Sequence, residues 1–135
     1  MPKVFISHAR DSHDYARRLG EALRRSWGAS SFDEARVTPG KPSRDLVRAN
    51  LESADYFVVL LTAMAAQSPW LLFELGMAQA LRKPVVSLLL GDLDIGRFDF
   101  LQLDKWHLDA RHLEPEQAAE RIRALAEGAG RGSPG

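Results

Sequence analysis

The sequence predicts an α/β protein built on an open parallel sheet with helices on both faces. Two observations point there. Short β-branched and aromatic runs alternate along the chain with segments whose apolar residues recur at helical spacing. The strongest run, Tyr56-Phe57-Val58-Val59-Leu60-Leu61, has no polar alternate at all. A strand of that kind is covered on both faces, which is the situation inside a parallel sheet. In such sheets ligands bind beyond the carboxyl ends of the strands, near the switch in strand order.

Taken in order, Val4-Phe5-Ile6 reads as a buried strand ending near Ser7. Asp11 is placed to cap a first helix, with Asp14 three residues on in a capping-box-like spacing. Tyr15, Leu19, Ala22, Leu23 and Trp27 share its inner face, and Gly28 ends it. Arg17, Arg18, Glu21, Arg24 and Arg25 mostly take the other face. Ala29 to Phe32 is a second short strand, followed by a polar loop from Asp33 to Lys41 that contains Pro39-Gly40. Ser43 is a cap for a second helix, about Arg44 to Ser53, with Leu46, Val47 and Leu51 inward. Beyond the Tyr56–Leu61 strand, Ser68 suits an N-cap and Pro69 a first helical position, so a third helix opens there. Pro84 resets the chain into a fourth strand, Val85 to Leu90. Asp92 to Lys105 carries no clear signal. Trp106-His107-Leu108 reads as a last strand, and Glu114 to Glu127 as a final helix with Ala118, Ile122 and Leu125 inward. The domain is therefore placed at residues 1–127. Residues 128–135, rich in Gly, Ser and Pro, are expected to be a flexible tail or the start of a linker.

The whole chain excludes several function classes. Its 135 residues suffice for one domain with a real core. Basic and acidic residues balance at 18 each, so there is no electrostatic case for nucleic acid or an anionic membrane. The absence of cysteine rules out disulfides, thiolate zinc sites and a cysteine nucleophile. The apolar run at Val4–Ile6 is far too short for a signal peptide or a membrane span, and a cytoplasmic location is expected.

The ligand end of the predicted sheet gathers Ser7-His8-Ala9, the Asp33–Lys41 loop, the Thr62–Gln67 segment and the start of the third helix. Within "SPWLLFELG", Trp70 and Glu74 are four residues apart on that helix and are neighbours on one face. An indole beside a carboxylate offers a stacking wall and an anionic group. Most helical glutamates lie on the surface, so spacing alone favours a solvent-facing Glu74. "SHARDSHD" holds Ser, His and Asp, but their crowding suits no hydrolase triad, and no G-x-S-x-G elbow is present. A metal site from His8, His13 and Asp14 is conceivable; a strand end and helix cap is the simpler reading. Arg36, Lys41 and Arg44 are placed to meet phosphates, yet Pro39-Gly40 is no phosphate loop of the G-x-x-x-x-G-K-[ST] kind. His107 and His112 show no ligand spacing and are read as structural or solvent-facing.

Several of these stretches, in this order, resemble the Toll/interleukin-receptor (TIR) domain. They are "KVFISHARDSHDYARRL", "FDEARVTPGKPSRDLVRANLESADYFVVLLT" and "SPWLLFELGMAQALRKPVVSLLL". Phe5-Ile6-Ser7-His8 is similar to the family's first box. Phe32-Asp33 and Pro39-Gly40 are similar to its second strand and following loop. Ser68-x-Trp70-x-x-x-Glu74 is similar to its W-x-x-x-E segment. The resemblance implies a flavodoxin-like three-layer sandwich around a five-stranded parallel sheet. It also implies one of two roles: a non-catalytic scaffold that self-associates, or an enzyme that cleaves NAD⁺ at the nicotinamide–ribose bond. In the enzymatic members the glutamate of the W-x-x-x-E segment is catalytic, which here is Glu74.

The chemistry suits one carboxylate. The leaving pyridinium is already cationic and departs neutral, so no general acid is needed, unlike most sugar hydrolysis. Positive charge develops on the ribose, and a fixed carboxylate in apolar surroundings stabilises it. Trp70 is then expected to stack on nicotinamide or adenine. Ser7, His8, Ala9, Phe32 and Asp33 are expected to line the pocket, with Arg36 or Lys41 near the diphosphate. NAD⁺ is a substrate, and no cofactor or metal is expected. Catalytic members act as assemblies, so low activity is expected of a monomer. With the tail composition, this suggests a bacterial antiviral or cell-suicide effector with a C-terminal sensor domain in a longer parent chain. A third reading, a nucleoside deoxyribosyltransferase on a similar fold, lacks support from the order of the boxes.

Overall fold

The apolar runs assemble into one sheet. In the computed structural model, described over residues 2–32, 44–93 and 106–130, the strands are β1 (Lys3–Ser7), β2 (Ser30–Phe32), β3 (Tyr56–Leu61), β4 (Val85–Leu89) and β5 (His107–Asp109). They lie in the order β2-β1-β3-β4-β5, and every pairing is parallel. The helices are α1 (His13–Trp27), α2 (Arg44–Ser53), α3 (Ala63–Ala66), α4 (Pro69–Ala80) and α5 (Pro115–Gly130). This is the flavodoxin-like α/β architecture. β1 has β2 on one side and β3 on the other, so the chain reverses its direction across the sheet beside β1. Right-handed crossovers then send α1 to one face and α2 to the opposite face.

Two apolar layers follow from the two-residue period of the strands. Val4, Ile6, Val58, Leu60, Val86 and Leu88 face α1 and α5, against Leu19, Leu23, Ala118 and Ile122. Phe5, Phe57, Val59, Leu61 and Leu89 face α2 and α4, against Val47, Leu51, Leu71 and Leu75. In the second layer the Phe5 and Phe57 rings stack with centroids 5.6 Å apart. They belong to residues paired in register across β1 and β3.

Several boundaries differ from expectation. Asp11 does not cap α1. The chain leaves β1 through a 3₁₀ turn, Arg10–Ser12, which puts Ser12 at the N-cap position without a side-chain cap. The Asp11 carboxylate is turned elsewhere, accepting from the hydroxyls of Ser12 and Thr62, each at 3.2 Å. The Thr62–Gln67 segment holds the unanticipated short helix α3, capped by Thr62 Oγ1, which accepts from the Ala65 N–H. β4 stops at Leu89, and the last strand lies one residue later than expected, with Leu89 opposite Asp109. α5 continues past Glu127 to Gly130, because adding a residue to an existing helix costs far less than starting one. Gly28 does end α1, in the left-handed conformation at φ 69°. The expectations for the 33–43 loop, for 94–105 and for the last five residues fall outside the described residues.

Candidate active site

α4 opens as its sequence suggests. Ser68 Oγ accepts from the Leu71 N–H at 3.2 Å, and Pro69 occupies the first turn. Its buried residues are Leu71, Glu74, Leu75 and Ala78. They recur at i, i+3, i+4 and i+7, which defines the stripe that faces the sheet. Glu74 thus occupies a core position on an otherwise apolar face, and only 1% of its surface is exposed. The solvent-facing placement favoured by spacing alone is overturned, because the helix is apolar nearly all round and the inward stripe includes position 74.

The partner of Glu74 comes from β1. Strand alternation puts Phe5 on the α4 side, and Ser7, two residues on, shares that side. Ser7 is buried, and its hydroxyl donates to Glu74 Oε1 at 2.7 Å. A buried ionised carboxylate is costly unless hydrogen-bonded, and a hydroxyl aimed at one oxygen offsets part of that cost. The pair lies at the carboxyl end of β1, where strand order switches and where such folds bind ligands.

Around the pair, Trp70 stands one helical turn before Glu74. It is half-buried against the α2/α4 layer, and its ring centroid lies 5.2 Å from that of Phe73. His8 and Ala9 follow Ser7 directly. His8 is partly buried, Ala9 is buried, and His8 Nε2 lies 3.3 Å from His13 Nδ1. The conceivable His8–His13–Asp14 metal set is not assembled, since Asp14 is engaged by Arg17 at 2.9 Å. Among the described residues no group of three or more His, Asp or Glu is placed to hold a metal ion. The structure thus brings Ser7 and Glu74 into contact, with His8 and Ala9 adjoining Ser7 and Trp70 on the helix of Glu74. The backbone of Phe32 pairs with Phe5 in the sheet. The Phe32 side chain, Asp33, Arg36 and Lys41 fall outside the described residues.

Sequence reasoning missed the role of Asp11 and Thr62, whose hydrogen bond ties the β1–α1 turn to the end of β3. No local signal reveals a pairing across 51 residues. It also missed a separate cleft of about 450 Å³ at the ends of β3, β4 and β5, lined by Asp11, Tyr15, Thr62, Asp92 and Arg111 among others. Neither Ser7 nor Glu74 lines it. There Arg111 bridges Asp92 at 3.1 Å and Asp109 at 2.7 Å. Its hydrogen bonds hold the Asp109 carboxyl well below the usual carboxylate range. His107 Nδ1 lies 2.9 Å from the hydroxyl of buried Ser87.

Among the described residues no helix is long and apolar enough to cross a membrane. No curated relative matches the sequence. Similar solved structures span nearly the whole chain. The TIR domain of a Toll-related receptor from Hydra magnipapillata is 14% identical with a TM-score of 0.69, over 91% of this chain and 97% of that one. A chain of the RPS4 and RRS1 TIR domain heterodimer is 23% identical with a TM-score of 0.65, over 94% and 97%. The CMP N-glycosidase BcmB of Clostridium botulinum is 14% identical with a TM-score of 0.62, over 90% and 98%. At these identities the likeness is one of fold. The sequence itself matches the family model of the TIR domain over residues 4–125, and the chain belongs to the TIR domain family.

Proposed function

We propose that this TIR domain cleaves NAD⁺ at the nicotinamide–ribose bond, with Glu74 as the catalytic carboxylate. The observation that carries the reading is a carboxylate on the sheet-facing stripe of an apolar helix, hydrogen-bonded at the end of β1. A position that packing alone would fill with Leu or Met holds a group whose burial is costly. In the reaction the C1′–N bond breaks, and its electron pair returns to the pyridine ring, which leaves neutral. Glu74 stabilises the positive charge left on the ribose. Water attack at C1′, with loss of a proton, gives ADP-ribose. Attack by an adenine nitrogen of the same molecule gives a cyclic isomer. Trp70 and Phe73 supply the aromatic wall, His8 and Ala9 line the pocket, and Arg36 or Lys41 meets the diphosphate. The similarity in fold to a protein named as a CMP N-glycosidase is in keeping with chemistry at an N-glycosidic bond.

A carboxylate that is 1% exposed meets a ribose only after its surroundings shift. Self-association is proposed to supply that shift, in the setting of an immune or antiviral effector whose parent chain carries a sensor domain. The test uses protein clustered on beads, incubated with NAD⁺, with nicotinamide followed by chromatography. Release by the wild type, lost in both Glu74→Ala and Glu74→Gln with circular dichroism unchanged, supports the proposal. Persisting release in both variants removes Glu74 from the mechanism. No release by any clustered form favours the second reading, a scaffold for protein contacts, which the fold it shares with a TIR heterodimer supports.

A further inference from the structure

We propose that Ser7 is a positioning residue, whose hydroxyl holds the Glu74 carboxylate in the orientation and ionisation that the sugar cation requires. This rests on the reading of Glu74 as the catalytic group. Ser7 is the last residue of β1, and both it and Glu74 are nearly inaccessible, at 2% and 1%. Neither side chain is open to a substrate in this structure, so their mutual contact is the interaction that the geometry defines. What Ser7 touches is Glu74 Oε1, at 2.7 Å, in the range of a charge-assisted O–H···O⁻ bond.

Geometry explains why a serine is suited to this place. β1 is paired with β2 along Lys3–Phe5 and with β3 as far as Ser7, which is in register with Val59. Its Cα is therefore fixed by the sheet, and the side chain has one short torsion to the hydroxyl. Glu74, in contrast, has three side-chain torsions on a helix that packs through apolar contacts. A hydroxyl on the rigid element restrains the carboxylate on the longer arm, as a supporting shell restrains a reacting group. A hydroxyl bonds more strongly to an ionised carboxylate than to the neutral acid, so the same bond favours the charged form. Both effects act at one oxygen, and removing the hydroxyl removes both.

The experiment compares wild type, Ser7→Ala and Ser7→Thr, clustered as above. Ser7→Ala is expected to lower kcat/KM on the order of 10- to 100-fold, the value of a hydrogen bond to a charged group. The loss falls in kcat, KM changes little, and the acid limb of the pH–rate profile moves to higher pH. Ser7→Thr, which keeps the hydroxyl, restores the profile. A second readout needs no turnover: the carboxyl ¹³C shift of Glu74 is titrated in wild type and Ser7→Ala. The midpoint is expected to move up in the alanine variant. An unmoved midpoint overturns the role of Ser7, whether or not the protein turns over NAD⁺. A moved midpoint with no nicotinamide release by the wild type supports the Ser7–Glu74 coupling and overturns the proposed reaction instead. An alanine variant with the wild-type pH profile and kcat also overturns the proposal.

Discussion

The Tyr15 hydroxyl on α1 donates to the Leu113 carbonyl just before α5, at 3.0 Å and across 98 residues of sequence. It fastens the two helices that cover one face of the sheet. Burial, and then the charges of Glu114 and Glu116, push the phenol up from 10.0 to about 12. The unfolded chain therefore loses this proton before the folded one does. Stability contributed by the neutral phenol is complete below pH 10 and is lost as pH rises towards 12. Thermal unfolding measured between those values should show a steeper decline for wild type than for Tyr15→Phe. Equal slopes would mean that Tyr15 ionises alike in both states.

α1 crosses β2 so closely at Gly20 that a Cβ there would lie 2.5 Å from Ser31 Oγ. The Ser31 Cβ would be 3.5 Å away, an ordinary contact, so the conflict is with the hydroxyl alone. Alanine in a helix interior gains about 1 kcal/mol over glycine. The displaced hydroxyl opposes that gain. Gly20→Ala should accordingly be near neutral in urea unfolding. The same change in a Ser31→Ala background should stabilise by roughly 0.5–1 kcal/mol. A Gly20→Ala penalty that survives removal of the Ser31 hydroxyl would place the conflict in the backbone instead.

At the other end of α4 the chain makes a Schellman motif without its usual glycine. The Lys83 N–H donates to Ala78 O and the Arg82 N–H to Gln79 O. Arg82 itself sits in the left-handed region at φ 57°. A residue with a Cβ pays roughly 1–2 kcal/mol there, and a glycine would not. Part of that gain is lost to the greater freedom of glycine in the unfolded chain. Arg82→Gly should therefore raise stability by a net amount of about 0.5–1 kcal/mol, read as a higher urea midpoint at unchanged slope.

The sheet was legible because its strands are apolar and bounded by Pro84, Gly28 and polar turns. The start of α4 was legible because Ser68 and Pro69 act through residues adjacent in sequence. The site was legible only in outline. Glu74 stood out as a candidate through the order of its motifs, while its burial depends on which face of a nearly apolar helix turns to the sheet. Periodicity cannot decide that when most faces are apolar. The contact with Ser7 spans 67 residues and exists only once β1 and α4 are packed. Asp11 looked like a cap because Asp is a common one. The 3₁₀ turn at Arg10–Ser12 moved the helix start, and the carboxylate went to Thr62.

The same contact makes stability and activity separable. Ser7→Ala leaves a buried carboxylate short of a donor, and Glu74→Met leaves a buried hydroxyl short of its acceptor. Leaving either group unmatched costs roughly 1–3 kcal/mol, although Glu74→Met also removes the cost of burying a charge. In the double variant Ser7→Ala/Glu74→Met neither cost remains, and the α4 stripe is apolar from Leu71 to Ala78. The double variant should be at least as stable as wild type. The two changes should couple by about 1–3 kcal/mol in a double-mutant cycle from urea unfolding. Nicotinamide release should be absent wherever Glu74 is replaced. That combination, a fold at least as stable but without turnover, is the trade-off expected of a functional group placed in a core. Strictly additive single effects would deny the Ser7–Glu74 coupling. A double variant much less stable than wild type would mark Glu74 as part of the scaffold, with its carboxylate required for packing instead of chemistry.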